Sequence, residues 1–405
     1  MHTPLEPLLA EHGVVILDGA QGTELERRGI NIGGSKLWSA QLLMDDPDTV
    51  RAIHLDYLRA GSDVITTFTY QASLPGFAAA GVDAARAGQL LNLAVDLAEA
   101  ARAQFLREQV QEEQEQGQRQ RQEQGQEQGE EQGQEQVASS SARGGEDSSS
   151  SRATRRRPLI AYSCGSYGAY LADGSEFRGD YADSVPADEL MGFHRTRLEP
   201  VRSRPEIDLI AFETVPCLRE AEAIVELLRR ERYGKPAWIS FSCKDDAHTC
   251  HGEVFGAQCV PLLAAAAAEG LVAAMGVNCT PPRHVPALLA AARKQLLQLE
   301  QEAAAPQAPQ APSPQRPRPR LLLLCYPNSG EQWDGTGRCW HSAPDDIAEP
   351  GRFAAAAADW VGSAAMGAAL VGGCCRTGPA HIAALRARLV PPPDTAGPPA
   401  APARQ

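Results

Sequence analysis

The sequence contains no apolar run of about 18 residues, the length that a membrane-spanning helix requires. Its first residues, MHTPLEPLLAEHG, are acidic and lack the basic-then-apolar order of a secretory signal peptide. Lysine and arginine form no basic stripe of the kind that binds nucleic acid. From these absences we expect the surface of an ordinary acidic enzyme, a cytoplasmic location, and no membrane or nucleic-acid partner.

What the chain does contain is ten cysteines, scattered over 405 residues instead of crowded into a short secreted framework. This distribution is typical of a reducing compartment, where cysteine serves as a metal ligand, a nucleophile or a small core residue. The net charge of −13 is unevenly placed, because residues 108–136 hold nine Glu and two Arg and so carry −7. The rest of the chain is only mildly acidic.

Three segments have a composition that cannot form a core. Residues 107–157 are rich in Gln, Glu and Gly and then in Ser, and residues 303–320 are rich in Pro, Ala and Gln. Their few apolar side chains cannot offset the entropy lost on ordering. We therefore expect 107–157 and 303–320 to be disordered loop insertions, and the Pro/Ala-rich residues 391–405 to be a disordered tail.

Eight short apolar runs recur along the remaining chain, separated by segments with apolar residues at helical spacing. Runs that are continuous instead of alternating predict strands buried on both faces, as in a parallel sheet. Eight such strands alternating with helices predict an α/β fold, a (β/α)8 TIM-type barrel, forming one domain over residues 10–390. An open doubly wound sheet is the alternative, but no Gly-rich dinucleotide fingerprint follows any run. The predicted strands are Val14–Leu17, Asp63–Thr67, Leu159–Ser163, Leu209–Phe212, Ala237–Phe241, Val272–Val277, Leu321–Tyr326 and Ala368–Val371.

Each predicted strand ends in polar or sulfur-bearing residues, at the end of a barrel where active sites lie. Cys279 follows the sixth strand, and the adjacent pair Cys374 and Cys375 follows the eighth. Soft thiolates favour zinc, and three protein ligands leave the fourth tetrahedral position open, as in a catalytic site. Gly372 and Gly373 are expected to let the backbone turn tightly enough to aim both sulfurs inward. The alternative is that these cysteines are ordinary small core residues.

Two carboxylates stand at other strand ends, Asp18 in DGAQGTE and Glu213 in FETVP. A buried carboxylate needs a partner, so the pair is predicted to grip a substrate ammonium group. General acid/base catalysis is the competing role for both residues. For Asp18 a turn or a helix cap is a further alternative.

Several segments together resemble the homocysteine S-methyltransferases, a family related to betaine-homocysteine methyltransferase and to the homocysteine domain of cobalamin-dependent methionine synthase. The resemblance covers nearly all of residues 10–390 outside the two insertions. Two departures lie in CGSYGAY, where Ser166 replaces a usual Pro and Cys164 replaces a usual small residue. The matching segments are LDGAQGTELERRG, LWSAQLL, DYLRAGSDVITTFTYQAS, YGAYLADGSEFRGDY, FETVP, GVNC, YPNSGEQWD and GGCCRTGP.

The resemblance implies a zinc site in which Cys279, Cys374 and Cys375 match the metal ligands. It also implies that Asp18 and Glu213 contact the homocysteine amino group, and that Gly19 and Thr67 line the amino-acid site. The implied reaction is zinc-dependent methyl transfer to homocysteine, giving methionine, with S-methylmethionine as the donor and S-adenosylmethionine as a second donor.

Three alternatives remain open. Betaine as donor would require an aromatic cage, for which the chain offers Trp38, Phe68, Tyr70 and Trp333. A selenol such as selenocysteine could replace homocysteine as acceptor on the same ligands. A non-catalytic zinc-binding barrel is the alternative from another functional class.

Overall fold

The computed structural model of this protein describes residues 3–31, 37–134, 156–304, 320–334 and 339–390. Its centre is an eight-stranded parallel sheet in which every predicted apolar run forms a strand. The strands are β1 Val15–Ile16, β2 Val64–Thr66, β3 Leu159–Gly165, β4 Leu209–Val215, β5 Ala237–Phe241, β6 Val272–Asn278, β7 Leu322–Tyr326 and β10 Ala368–Val371; a separate antiparallel pair consists of β8 Gln332–Asp334 and β9 Cys339–His341.

The eight strands form a closed sheet. In the order β1-β10-β7-β6-β5-β4-β3-β2, β1 and β2 are the first and last strands. A parallel bridge joins Leu17 to Val64, and the Asp63 N–H donates to the Ile16 carbonyl at 2.6 Å. The predicted (β/α)8 barrel is therefore confirmed.

The apolar runs are continuous because each strand is buried on both faces. Every residue of β3, β4, β5 and β6 is buried. One set of side chains fills the barrel interior, where the Trp238 indole N–H donates to the Tyr326 hydroxyl at 3.1 Å. The alternate set packs outward against the helices. Because both faces of each strand are covered by apolar side chains, the strands lack the alternation of apolar and polar residues that is typical of a sheet with one face in solvent.

The helices lie between the barrel strands and pack on their outer faces. The helix Pro47–Ala60 begins after Asp46, whose carboxylate accepts from the Thr49 N–H at 3.1 Å, and ends at Gly61, which is left-handed at φ 118°. The helices are α1 Glu6–His12, α2 Gln21–Arg27, α3 Leu42–Asp45, α4 Pro47–Ala60, α5 Leu74–Ala79, α6 Ala84–Gln134, α7 Tyr167–Leu171, α8 Ala187–Leu198, α9 Leu218–Glu231, α10 Val260–Ala268, α11 Val285–Ala304, α12 Pro350–Gly362 and α13 Pro379–Leu389.

The first insertion differs from its prediction. Helix α6 continues through Gln134, so residues 107–134 are helical where the sequence predicts disorder. Its first half packs on the barrel and buries residues as far as Phe105. Because the helix is already nucleated there, each further Gln or Glu adds to it at low cost.

Other parts of the predicted insertions and the predicted tail, residues 135–155, 305–319 and 391–405, lie outside the described residues. Within the described ranges, no helix combines the length and the apolar character needed to cross a membrane.

Candidate active site

The carboxyl ends of the eight barrel strands meet at one end of the molecule. Three non-glycine residues in or after the barrel strands there have a left-handed backbone: Thr214 in β4 at φ 59°, Cys279 after β6 at φ 47° and Arg376 after β10 at φ 68°. Such conformations cost about 1–3 kcal/mol each and persist where neighbouring contacts impose them. They mark this end of the barrel as the place where the fold holds side chains in set positions.

The three predicted cysteines form one sulfur cluster at this end. The Sγ atoms of Cys279, Cys374 and Cys375 all lie within 4.8 Å of one another, so they could hold a metal ion. The Cys375 Sγ is 3.7 Å from that of Cys279 and 4.0 Å from that of Cys374. A tetrahedral zinc with bonds of about 2.3 Å separates its sulfur ligands by about 3.8 Å, so these two spacings suit one ion.

The oxidation state of the cluster was not foreseen from the sequence. Cys279 and Cys374 are joined by a disulfide, while Cys375 is a free thiol. A disulfide offers no thiolate, so this pair must be reduced before all three sulfurs can bind a metal. Burial, with smaller contributions from Glu26 and Glu176, raises the pKa of the Cys375 thiol to about 11.

Backbone hydrogen bonds fix the positions of the three sulfurs. The Cys279 N–H donates to the Tyr326 carbonyl at 3.3 Å, and the Cys374 N–H donates to that of Pro327 at 2.8 Å. The Cys375 carbonyl accepts from the Ser329 N–H at 3.1 Å. The end of β7 and the loop after it therefore bond both the end of β6 and the turn after β10. Three strand ends together hold the sulfur cluster in place.

The two glycines before the cysteine pair act differently from the prediction. Neither Gly372 nor Gly373 has a left-handed backbone. A Cβ on Gly372 would stand 2.6 Å from the Leu17 Cβ, and one on Gly373 would stand 2.0 Å from the Thr377 Oγ1. They are needed for close packing of the turn against the residues after β1 and against Thr377, which precedes α13, and not for a tight backbone turn.

Asp18 lies at the end of β1 and is 5% exposed. Its Oδ2 accepts from the Thr66 N–H at 2.7 Å and from the Thr66 hydroxyl at 3.0 Å. Burial and the charge of Glu213, opposed by the Thr66 N–H, raise the pKa of Asp18 to about 8. The carboxyl is therefore mostly neutral near pH 7 when no cation is beside it.

Glu213 in β4 is the second buried carboxyl. Its Oε1 accepts from the Ser163 hydroxyl at 2.5 Å, and the Tyr326 hydroxyl lies within hydrogen-bonding reach. Burial raises the pKa of Glu213 despite both donors. Among the described residues no Lys or Arg forms an ion pair with Asp18 or Glu213, so the pair can accept a cation from a ligand.

Gly19 and Thr67 lie beside these carboxyls but have structural contacts. A Cβ on Gly19 would stand 2.9 Å from the Thr377 carbonyl and 3.0 Å from the Tyr57 ring, so no side chain fits. The Thr67 hydroxyl is 2.6 Å from that of Thr69 and accepts from the Ser163 N–H at 3.0 Å. It thus supports Ser163, which in turn bonds Glu213.

Sequence reasoning missed the residues that hold this site. Asn278 accepts from the Thr214 N–H and donates to the Thr214 hydroxyl, both at 2.8 Å, and so maintains the left-handed backbone of Thr214. Its place in GVNC, directly before Cys279, was the available signal. Arg376 pairs with Glu331 of YPNSGE at 3.0 and 3.1 Å, which braces the cysteine turn against the loop after β7.

A family model described as homocysteine S-methyltransferase matches residues 15–389. The chain belongs to the homocysteine S-methyltransferase family. Homocysteine S-methyltransferase YbgG of Bacillus subtilis is 36% identical over 386 residues, which cover 95% of this chain and 97% of that protein. Homocysteine S-methyltransferase 1 of Zea mays is 37% identical over 382 residues, covering 94% and 96%.

Solved structures agree with this assignment. The metallated form of the Escherichia coli homocysteine methyltransferase MmuM superposes with a TM-score of 0.67 at 33% identity, covering 95% of this chain and 100% of that one. Its oxidized form gives a TM-score of 0.66 at 32% identity, covering 96% of this chain and 100% of that one. The predicted enzyme class, a homocysteine S-methyltransferase, is confirmed.

Proposed function

We propose that the reduced enzyme binds zinc through Cys279, Cys374 and Cys375 and transfers a methyl group from S-methylmethionine to homocysteine. The observation that carries this proposal is the position of the three sulfurs, at strand ends shared with two buried carboxyls that form no ion pair with a Lys or Arg of the described chain. The resemblance of YPNSGE and FRGDY to the S-methylmethionine-using branch supports the donor.

The donor set suits zinc because three soft sulfur ligands favour this ion and leave one tetrahedral position for a substrate. Zinc, when bound, would lower the pKa of a coordinated thiol and so supply a sulfur nucleophile at neutral pH. The protein's own part is to hold the three sulfurs at the ends of β6 and β10 and to keep the site shielded from bulk water.

Asp18 and Glu213 hold the ammonium group of homocysteine in this proposal. Hydrogen bonds from Thr66 to the Asp18 carboxyl and from Ser163 to the Glu213 carboxyl orient both groups before the substrate binds. Because burial raises both pKa values, an incoming ammonium group favours the ionised forms and displaces a proton. Gly19 and Thr67 shape the wall beside these two carboxyls.

The reaction balances without an acid from the enzyme. A new bond forms between the homocysteine sulfur and the methyl carbon, and the bond from that carbon to the donor sulfonium breaks. The donor sulfur keeps the electron pair and leaves as a neutral thioether, while the thiol proton goes to solvent. With S-methylmethionine both products are methionine, and S-adenosylmethionine would follow the same scheme.

Betaine fits the structure less well. Phe68, one candidate ring for a cage, is fully buried and stacks edge-on against His54 at 5.2 Å between ring centres. Trp38 is 45% exposed, so at least two of the four candidate rings do not face one enclosed site. A quaternary ammonium needs several rings around it.

The test is an assay of reduced enzyme with homocysteine and, separately, S-methylmethionine, S-adenosylmethionine and betaine, with zinc measured on the same sample. We expect about one zinc per chain and highest kcat/KM with S-methylmethionine. Cys374→Ala should lose zinc and turnover together. Cys325→Ala, which removes a buried cysteine of β7 outside the cluster, is the matched control and should retain both. A zinc-free variant with full turnover would refute the proposal.

A further inference from the structure

A third acidic side chain, that of Glu176, lies at the same end of the barrel and has one oxygen without a partner among the described residues. Glu176 belongs to the cover segment, residues 166–186, which connects β3 to α8 across the carboxyl end of the barrel. Its Oε2 atom is buried and makes no hydrogen bond to any part of the chain that the structure describes. A desolvated carboxylate oxygen without a donor is costly, so a ligand with a positive charge would relieve it.

The backbone of Glu176 is fixed, so the unpartnered oxygen is not a consequence of a loose loop. The Ser242 hydroxyl at the end of β5 donates to the Glu176 carbonyl at 2.7 Å. The cover segment packs so closely that a Cβ on Gly168 would stand 2.5 Å from the Glu176 nitrogen. Only a glycine at position 168 permits this approach.

The buried carboxyl of Glu220 anchors the cover segment. Glu220 at the start of α9 is fully buried and accepts from the Tyr167 N–H at 2.7 Å. The His194 ring Nε2 is 2.8 Å from the same carboxyl oxygen, and the Tyr181 hydroxyl bonds the other. Both ends of the segment are therefore tied to the barrel, and Glu176 lies in the turn between them.

Glu176 lies at the carboxyl end of the barrel, since Ser242 at the end of β5 bonds its carbonyl. Its charge contributes, after burial, to raising the pKa of the Tyr70 hydroxyl. Tyr70 packs on the end of β3, where a Cβ on Gly165 would stand 2.9 Å from its ring, and its hydroxyl bonds Thr214. The charge of Glu213 contributes to the same shift, less than that of Glu176.

We propose that Glu176 is the specificity-determining residue for the methyl donor and binds the donor's α-ammonium group; this inference rests on the proposed function with S-methylmethionine. In the proposed function the homocysteine ammonium group already has Asp18 and Glu213 as its partners. A metal role does not fit, because the cluster whose ligand atoms lie within 4.8 Å of one another contains the three cysteines and not Glu176.

The chemistry of the reaction favours the ammonium over the sulfonium as the bound charge. The sulfonium charge disappears during methyl transfer, so a carboxylate against it would stabilise the ground state more than the transition state and slow the reaction. The ammonium charge is the same before and after transfer. A carboxylate on that group strengthens binding throughout and leaves the barrier unchanged.

The test compares Glu176→Gln with the wild type in steady-state kinetics on the reduced, zinc-loaded enzyme. A charge-assisted hydrogen bond of this kind predicts that KM for S-methylmethionine rises about 10- to 100-fold, with kcat near the wild-type value. KM for homocysteine and zinc content should stay within about twofold. Asp180→Asn removes the same charge from an exposed position of the cover segment and should behave as wild type.

A deaminated donor, 4-(dimethylsulfonio)butanoate, separates the two charges because it keeps the carbon chain, the sulfonium and the carboxylate of S-methylmethionine and lacks only the ammonium. Its kcat/KM, or its inhibition constant against S-methylmethionine if it is not turned over, should be equal for Glu176→Gln and wild type. An equal loss with both donors would overturn the proposal in favour of sulfonium binding. Unchanged KM for S-methylmethionine, or a raised KM for homocysteine, would also overturn it.

Failure of this inference is distinguishable from failure of the proposed function. A wild-type enzyme that does not use S-methylmethionine refutes the donor and the role of Glu176 together. An active wild type beside a Glu176→Gln variant with wild-type kinetics refutes the role of Glu176 alone.

Discussion

Binding of an amino-acid ligand to the Asp18 carboxyl should depend steeply on pH. Burial raises the pKa of this group to about 8 in the ligand-free protein, so at pH 7 it is mostly protonated. An ammonium group requires the ionised form beside it. Binding must therefore displace a proton, and affinity should rise as the pH rises towards 8.

The size of the effect follows from the pKa. If the ammonium group lowers the pKa of Asp18 below 6, the fraction of free protein that is ready to bind changes from about 1/100 at pH 6 to about 1/2 at pH 8. Affinity should then rise about 50-fold over that range, or about 2.3 kcal/mol. Release of about 0.9 proton per ligand is expected at pH 7.

Methionine is the ligand for this measurement, because it carries the ammonium group but has no thiol whose own ionisation would give the same pH dependence. Titration calorimetry in two buffers of different ionisation heat counts the released protons directly. Asp18→Asn is the control and should bind more weakly with a much flatter pH profile. A wild-type affinity that is constant from pH 6 to 8, with no proton released, would refute the assigned role of Asp18.

Three further outcomes are expected. Gly373→Ala should lose metal and lower the free energy of unfolding by about 1–3 kcal/mol in chemical denaturation, because its Cβ would overlap Thr377. The control Gly362→Ala, whose Cβ would have nothing within 4 Å, should change neither metal content nor stability. The raised pKa of Asp18 means that the folded protein binds more protons than the unfolded chain between about pH 4 and 8. The stability of the ligand-free protein should therefore fall as the pH rises through that window. Thermal melts of Asp18→Asn should show a smaller fall. Deletion of residues 113–152 should leave kcat/KM within about twofold, and a larger loss would assign the insertion a part in catalysis.

The eight strands could be predicted because a parallel barrel buries each strand on both faces, which leaves short continuous apolar runs in the sequence. The bounds of α4 were predictable for a local reason, since Asp46 and Gly61 cap it. The helical state of residues 107–134 was not predicted, because it depends on the packed first half of α6. The hairpin β8–β9 was also missed, since each of its strands has only three residues.

The candidate site divides in the same way. Cysteines and carboxylates at strand ends are visible in sequence because parallel strands deliver their last residues to one place. Their supporting contacts are not, because Thr66 is 48 residues from Asp18 and Ser163 is 50 from Glu213. The unpartnered oxygen of Glu176 likewise appears only when the cover segment is seen packed over the barrel end.

The sequence by itself determined the barrel, its family and the identity of the three sulfur-bearing residues, because these depend on local pattern and residue chemistry. Tertiary structure decided what those residues can do. The distance between Cys279 and Cys374 permits a disulfide, and desolvation with the neighbouring Glu213 raises the pKa of Asp18 to about 8. Separation in space and exclusion of water arise only when distant segments pack, so no reading of the chain alone supplies them.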